Sequence, residues 1–457
     1  MTELGQGPTT LHLIVPSPDG RSLLVQADDQ RAGRRLPEVA LDGPGDELMA
    51  PVLAAIAGLL GPDVPLLRVA PIGLTWGHRV ADVVAEMEAT GTLEPPDGLA
   101  WNQLSDLGPA SFAREAIRPL IGRWLDEQRS GVPSAKRPVW SRPGFLARAG
   151  AWMADQLEAA GEPLTSPPRL TQLWGISAFL EGETPTGKFF FKSCAAVFPT
   201  EAQITLAIDR ALPGVGPSVV AIEPEQRWLL MRDAGGSALG DGPPERRSVG
   251  LAEFGRAQRA WPAAVARLPP EDRIELEDRS PASLAAMLPV LVDDPGLAGL
   301  APAHRERLHA ELPDFVERCA RIEELGPPNT LVHGDFHPWN VHDDGERISI
   351  IDWSDACIGH PFFDLPTYLG RTRDVTLRRA ILDAYLDAWS NGFDRAALEE
   401  AALLGLVLGS LHQVESYRRI MASLDPEDEW DIGEGMQNYA RRALVWLDMG
   451  LDAIDPD

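Results

Sequence analysis

The chain has 457 residues, of which 44% are hydrophobic, so it is long and apolar enough to form two or three domains with buried cores. Its formal net charge of −27 argues against nucleic acid as a partner, because binding to phosphate backbones requires a basic surface. Three widely spaced cysteines, and the absence of an apolar run of roughly 20 residues, predict a cytoplasmic protein without a disulfide framework or a membrane partner.

The first part of the chain reads as an α/β segment. Residues 11–26 predict two strands around a Pro-Asp-Gly turn, and residues 46–61 predict a helix. The segment faintly resembles a Nudix hydrolase, but the metal-binding helix of that family needs several glutamates. Only Asp46 and Glu47 stand at the start of the helix here. We therefore expect residues 1–131 to form a non-catalytic cap domain.

The middle of the chain changes from helical to strand-like patterns. A proline-rich stretch at 132–143 and a helical pattern after it predict a linker and helix over 132–160. Short apolar runs then predict strands in RLTQLWG, ISAFLEG, KFFFKSC, PSVVAIE and RWLLMRD, with a helix in TEAQITLAIDRAL after the third. We expect a small β lobe over 161–233, a helical lobe over 234–457, and a ligand cleft between them.

The segment LVHGDFHPWNVHDDGERISIIDW, at 331–353, concentrates polar side chains between apolar runs. Asp335, Asn340 and Asp352 offer oxygen donors, which suit Mg²⁺ better than zinc. A hairpin between VHD and ISII would bring Asp352 back beside Asn340. Two magnesium ligands and one further carboxylate are the minimum set for positioning a phosphoryl donor and orienting an attacking hydroxyl.

Two other interpretations of this segment remain. His333, Asp335 and His337 alternate along the chain and could bind zinc or iron, although Pro338 would interrupt the strand that this geometry requires. In the other interpretation, the segment is a polar loop whose histidines are only structural.

A phosphoryl-transfer site also needs a cation for the phosphates of the donor. Lys192 lies in the third predicted strand of the small lobe, and Glu201 stands near the start of the next helix. A lysine on a strand is more often a solvated edge residue. A glutamate on the following helix could, however, hold the ammonium group against the phosphates, and together with the 331–353 segment the pair favours this role.

The residues His333 to Asn340, Ile351-Asp352-Trp353, Gly359-His360-Pro361 and Asp364 resemble the signature of the aminoglycoside phosphotransferase family, which has choline-kinase-like relatives. The resemblance covers roughly residues 165–445. It implies an α+β, two-lobed protein-kinase-like fold, with a small antiparallel β lobe and a large helical lobe, preceded here by an extra N-terminal α/β domain.

The resemblance also implies roles for individual residues. Asp335 would be the catalytic carboxylate and His333 would brace its loop, while Asp364 would fix the loop structurally. The residues implied to bind metal are Asn340 and Asp352, and those implied to bind the nucleotide are Lys192, Glu201, Ser177, Met231 and Asp233. Trp339 departs from the glycine that the family often has at its position, so the loop is bulkier here.

The expected function is that of a Mg²⁺-dependent small-molecule kinase that transfers phosphate from ATP or GTP to a hydroxyl group. The acceptor would be an aminoglycoside, a sugar, an amino sugar or an amino alcohol, and acidic side chains of the helical lobe would pair with any amines. Candidate wall residues of the acceptor site are Asp355, His412, Glu415 and Tyr417. The alternatives are an inactive kinase-fold binding module and a metallohydrolase.

Overall fold

The computed structural model describes residues 9–26, 33–41, 48–62, 64–72, 82–88, 91 and 93–453. Asp46 and Glu47 therefore lie outside the described residues. The chain divides into two compact units. Unit 1 consists of Met1–Pro185, Phe191–Ala195 and Ser423–Gly433, and unit 2 of Thr186–Phe190, Ala196–Ala422 and Glu434–Asp457.

Unit 1 begins with a mixed sheet. Its first strands are β1 (Thr9–Ile14), β2 (Ser22–Gln26), β3 (Glu38–Leu41), β4 (Leu66–Ile72), β5 (Asp82–Met87) and β6 (Leu99–Gln103). Four of these strands form a sheet in the order β3-β1-β5-β4, in which β1 and β5 are parallel and the other neighbours are antiparallel. The remaining two, β2 and β6, pair antiparallel with each other.

The hairpin predicted for residues 11–26 is only partly present. A short bridge between Pro16 and Leu23 joins the two strands, but β1 takes β3 and β5 as its ladder partners while β2 takes β6. The reason is burial. The adjacent residues Leu13 and Ile14 point to opposite faces of β1 and both are buried, as expected of a central strand rather than one arm of an exposed hairpin.

Three helices complete the first part of unit 1: α1 (Met49–Leu60), α2 (Arg118–Ser130) and α3 (Phe145–Ala159). As the sequence predicts, α1 ends at Gly61, where a φ of +89° suits glycine and the N–H donates to the carbonyl of Ala57. Residues Val25, Val84 and Trp124 lie in one apolar core that joins the strands to α2.

The next elements follow the predicted order of five strands with one helix. They are β7 (Arg169–Leu173), β8 (Ser177–Thr184), β9 (Gly187–Cys194), α4 (Glu201–Ala211), β10 (Val219–Glu223) and β11 (Trp228–Arg232). Within unit 1, β7 and β8 are antiparallel; within unit 2, so are β10 and β11. The chain changes unit within β9, because residues 187–190 belong to unit 2 and residues 191–194 to unit 1.

The rest of unit 2 is mainly helical. Its helices are α5 (Arg247–Val265), α6 (Pro281–Val292), α7 (Pro302–Leu325), α8 (Leu365–Leu369), α9 (Val375–Trp389), α10 (Arg395–Ser423) and α11 (Gly435–Met449). Its short strands are β12 (Ser237–Ala238), β13 (Thr330–Val332), β14 (Val341–Asp343), β15 (Ile348–Ile350) and β16 (Cys357–Gly359). Pairing gives the sheet β12-β14-β15 and the ribbon β13-β16. The α+β class is confirmed, and within the described ranges no helix has the length and apolarity needed to span a bilayer.

The segment Ser423–Gly433, which we name the acidic segment, leaves α10 and belongs to unit 1. Arg68 of β4 lies buried against it, with one guanidinium nitrogen 2.9 Å from carboxylate oxygens of both Asp425 and Asp428. Glu427 lies 3.7 Å from the same guanidinium and also pairs with Arg123. Burial raises the pKa of Asp428 to about 6. Since the carboxylates are almost fully buried, their position depends on the arginines.

We predict that Arg68→Ala destabilises unit 1 by about 3–5 kcal/mol, because it removes counter-charge from buried carboxylates. The matched control is Arg169→Ala, whose side chain is 71% exposed and pairs with Glu181. That change should cost about 1 kcal/mol or less. Guanidinium unfolding followed by circular dichroism measures both variants, and equal midpoints for the two would contradict the role given to Arg68.

Candidate active site

The loop after β13 is fixed by a single carboxylate. Asp364 accepts the backbone N–H of His333 with one oxygen at 3.0 Å and the N–H of Gly334 with the other at 2.9 Å. Gly334 has a φ of +87°, and a Cβ there would lie 2.3 Å from the carbonyl oxygen of Asp355. Only glycine fits both conditions. The next residue, Asp335, is therefore held at a defined turn of the backbone.

His333 is buried, and both of its ring nitrogens are engaged. Its Nδ1 accepts the backbone N–H of Asp335 at 3.3 Å, so Nε2 carries the proton and donates to the carbonyl of Ile351 at 2.9 Å. A histidine bonded in this way has no lone pair to offer a metal ion. Among the described residues, no group of three or more His, Cys, Asp or Glu side chains is placed to bind a metal, so the geometry does not support the zinc interpretation.

Aromatic side chains pack against the residues of this loop. Phe336 stacks on Phe254 of α5 with ring centres 4.1 Å apart, and on Tyr368 of α8 with ring centres 5.0 Å apart. The ring of His333 packs against that of Trp353, with ring centres 4.7 Å apart. These rings are fully or almost fully buried. Close packing of this kind restricts the loop to one conformation.

The predicted hairpin is present and aligns the two proposed metal ligands. In the ladder of β14 and β15, Val341 lies opposite Ile350, and the N–H of Ile351 donates to the carbonyl of Asn340 at 2.9 Å. Asp352 follows directly, with a φ of +62° that is unusual for a residue other than glycine. The Asn340 amide nitrogen donates a hydrogen bond to the carbonyl of Asp335 at 3.0 Å. The amide oxygen is therefore the atom of Asn340 that could bind a cation.

Asp335 combines partial exposure with a perturbed acidity. Its pKa is raised, first by burial and then by the negative charges of Asp352 and Asp355, while His337 and Arg371 oppose the rise. Because 44% of its side chain remains exposed, water limits this effect. The carboxylate of Asp335 is therefore accessible to a ligand and is influenced by several charged side chains.

The residues predicted to bind the nucleotide are divided between the units. Unit 2 contains Glu201 at the start of α4, Met231 in β11 and Asp233, whose carboxylate accepts the N–H of Gly235 at 3.1 Å. Met231 and Glu201 are buried.

Unit 1 contains the other two predicted nucleotide residues. Lys192 is buried in β9, with its ammonium 5.3 Å from the ring centre of Phe179. The hydroxyl of Ser177 accepts the indole N–H of Trp174 at 2.6 Å, so Ser177 already has a partner within unit 1. The nucleotide roles of these residues stay predictions.

Of the candidate acceptor residues, two carboxylates are paired within the chain. Asp355 forms an ion pair with Arg279 at 2.9 Å, and Glu415 binds Arg418 at 2.6 Å. His412 is buried, and burial lowers its pKa, so it does not border open space as a cation.

Gln413 of α10 was not predicted from the sequence, although residues on either side of it were. Its buried amide donates to the carbonyl of Gly334 and so adds a second side-chain contact that fixes the loop. Arg279, which is almost fully buried, was not predicted either. A polar residue inside an apolar helix is the only signal that could have indicated Gln413, because its partner lies 79 positions away in the sequence.

Comparison with known proteins finds a family model that matches this region. Residues 179–404 match the model of the "Phosphotransferase enzyme family". No curated protein matches the chain. Solved structures similar to it include a choline/ethanolamine kinase family protein from Mesorhizobium loti, 18% identical with a TM-score of 0.47 over 67% of this chain and 96% of that chain. A choline kinase from Streptococcus pneumoniae is 13% identical, with a TM-score of 0.46 over 65% of this chain and 98% of that one.

The pKa of Asp364 generates a prediction about stability. Burial raises it from 3.8 to about 7, against the lowering effect of the two N–H donors. Because the folded protein then binds this proton more tightly than the unfolded chain, the Asp364 contribution makes the free energy of unfolding fall as pH rises from about 4 to 7. The slope approaches about 1.4 kcal/mol per pH unit for one proton.

In the variant Asp364→Asn, the Asp364 contribution to the pH dependence of the free energy of unfolding should be absent. The control is Asp314→Asn at an exposed position of α7, which should follow the unmodified protein. Denaturant unfolding of the three proteins at pH 4.5, 5.5 and 6.5 measures the difference. Parallel lines for the unmodified protein and Asp364→Asn would show that Asp364 carries no such proton.

Proposed function

We propose the reaction of this chain from the family to which it belongs. That family is the phosphotransferase enzyme family, whose model matches residues 179–404. The family predicted from the sequence, its protein-kinase-like fold and the enzyme class, a phosphotransferase with an alcohol group as acceptor, are confirmed. Within this class we assign a Mg²⁺-dependent transfer of the γ-phosphate of ATP or GTP to a hydroxyl of a small molecule. The cysteines, few and widely spaced, are consistent with a cytoplasmic location.

The observation that carries the proposal is the position of Asp335. Its loop is held by Asp364, His333 and Gln413, yet nearly half of its side chain is accessible. A carboxylate held in this way can accept the proton of an acceptor hydroxyl as the oxygen attacks phosphorus. Its raised pKa increases its basicity for this transfer. Positioning of the hydroxyl, rather than covalent chemistry, then supplies most of the rate enhancement.

Asn340 and Asp352 would hold Mg²⁺ in this proposal. The donor set fits, because one amide oxygen and one carboxylate are hard ligands, and they lie just before and just after the paired strands of one hairpin. When bound, the ion would neutralise charge on the phosphates of the donor. The positive φ of Asp352 is the kind of backbone strain that occurs at ligand-binding residues.

The residues assigned to the nucleotide from the sequence remain part of the proposal. Glu201, Met231 and Asp233 lie in unit 2, and Lys192 and Ser177 in unit 1. Lys192 and Glu201 are each about 2% exposed, which is rare for charged residues and is usual only where a specific electrostatic role compensates for burial.

We predict that Asp335→Asn keeps the fold and the binding of Mg·ATP but lowers turnover by about 10²–10⁴-fold, because the amide cannot accept the proton. Nucleotide binding is measured by calorimetry, and transfer by a coupled assay against a panel of hydroxylated compounds. The control Asp344→Asn changes an exposed turn residue of the same hairpin and should behave as the unmodified protein.

The same experiment separates the enzyme from an inactive binding module. If the unmodified protein consumes nucleotide, with a compound of the panel or with water as the acceptor, Asp335→Asn should suppress this consumption. Binding of Mg·ATP without any consumption, by the unmodified protein and the control alike, would favour the binding module. Normal turnover by Asp335→Asn would exclude Asp335 as the base.

A further inference from the structure

The turn between β7 and β8 of unit 1 is closed by its own hydrogen bonds. The backbone N–H of Trp174 donates to the carbonyl of Ser177 at 3.1 Å, and the Trp174 indole N–H donates to the Ser177 hydroxyl at 2.6 Å. The N–H of Ala195 donates to the carbonyl of Ile176 at 2.9 Å. Ala195 directly follows β9, the strand of Lys192, so the turn is bonded to the segment that carries the other nucleotide residue proposed in unit 1.

A tryptophan from the region before β7 also binds this turn. Trp140 is buried, and its indole N–H donates to the carbonyl of Trp174 at 2.9 Å. The carbonyl of Ser141, next to it, accepts a bond from Arg137 at 2.9 Å. Arg137 is buried too and pairs at 2.7 Å with Glu86 of β5. Trp140 thereby connects the turn to the first sheet of unit 1.

The acidic segment contacts the same turn at its glycine. Gly175 is buried, and a Cβ there would lie 2.7 Å from the Cβ of Asp428 and 2.9 Å from its carbonyl oxygen. Because a backbone oxygen cannot rotate away as a side chain can, the turn and the acidic segment fit together only with glycine at this position. Arg68 in turn holds the acidic segment, through Asp425 and Asp428. The turn is therefore held by two contacts, one from Trp140 and one from the acidic segment.

These contacts come from outside the part of the chain that matches the family model. That model matches residues 179–404, whereas Arg68 and Trp140 precede this range and the acidic segment follows it. The Ser177 hydroxyl, which accepts the Trp174 bond, can still donate its own proton to a phosphate oxygen. A turn that is ordered before the ligand arrives does not lose conformational entropy on binding, so its affinity for the ligand is higher.

We propose that the N-terminal domain and the linker after it position the turn for the nucleotide: Trp140, and Arg68 through the acidic segment, hold residues 174–177 in the conformation that binds the phosphates. This inference rests on the proposed function, which assigns Ser177 to the nucleotide. Both are positioning residues, since they act on the turn and not on the ligand. Residues 1–131, although they supply no catalytic group, then help to determine the affinity of the protein for nucleotide.

The first test replaces Trp140 by phenylalanine, which keeps an aromatic ring but removes the indole donor. The matched control is Trp124→Phe in α2, where a buried indole N–H donates to Glu86 at 3.1 Å and Trp124 belongs to the core of the first strands. Calorimetry on the full chain measures binding of Mg·ATP or Mg·GTP, whichever the unmodified protein binds, and of the matching nucleoside.

Trp140→Phe should weaken binding of the Mg-nucleotide about 2–10-fold, the change that corresponds to one net hydrogen bond. It should leave the affinity for the nucleoside unchanged, because a nucleoside has no phosphates for the turn to bind. Trp124→Phe should leave both affinities unchanged, although it also removes a buried hydrogen bond.

A second variant, Gly175→Ala, tests the contact with the acidic segment, because the added Cβ forces one of the two backbones to move. It should also weaken binding of the Mg-nucleotide. Its control is Gly58→Ala at an exposed position of α1, where a Cβ would meet no described atom within 4 Å. Without nucleotide, amide hydrogen exchange followed by mass spectrometry should be faster at residues 174–177 in Trp140→Phe and Gly175→Ala than in either control.

Several outcomes would overturn the inference. Unchanged affinity or unchanged exchange in Trp140→Phe would do so, as would equal changes in Trp124→Phe. An equal loss of nucleoside affinity would show general damage to the fold rather than a displaced turn. If the unmodified protein binds neither nucleotide, the proposed function fails and the inference about affinity fails with it, whereas exchange still shows whether Trp140 holds the turn.

Discussion

The loop that carries Asp335 depends on one buried carboxylate with two backbone partners. Asp364 accepts the N–H groups of His333 and Gly334, two donors that are buried and need an acceptor within the protein. Without this carboxylate the loop would leave two buried donors unpaired. Asp335, the next residue of the loop, would then lose its fixed direction, which the proposed proton transfer requires.

The remaining contacts place the loop between rigid elements rather than on a flexible surface. Phe336 is held between rings of α5 and α8, and Gln413 of α10 holds the carbonyl of Gly334. The hairpin of β14 and β15 then brings Asn340 and Asp352 to the same loop through backbone bonds alone. The side chains proposed to act in catalysis are thus oriented by packing and by main-chain hydrogen bonds, the combination that best preserves a geometry through ligand binding.

Local patterns were sufficient to predict most elements and the hairpin at the site, because strand and helix periods, turns and a short motif act over a few residues. The motif also identified Asp364 as the residue that fixes the loop. Interactions between distant positions could not be predicted from such patterns. Arg68 binds Asp425, 357 positions away, and Gln413 binds Gly334, 79 positions away. The prediction of a hairpin between β1 and β2 was only partly correct for the same reason, since the ladder partners of β1 are β3 and β5.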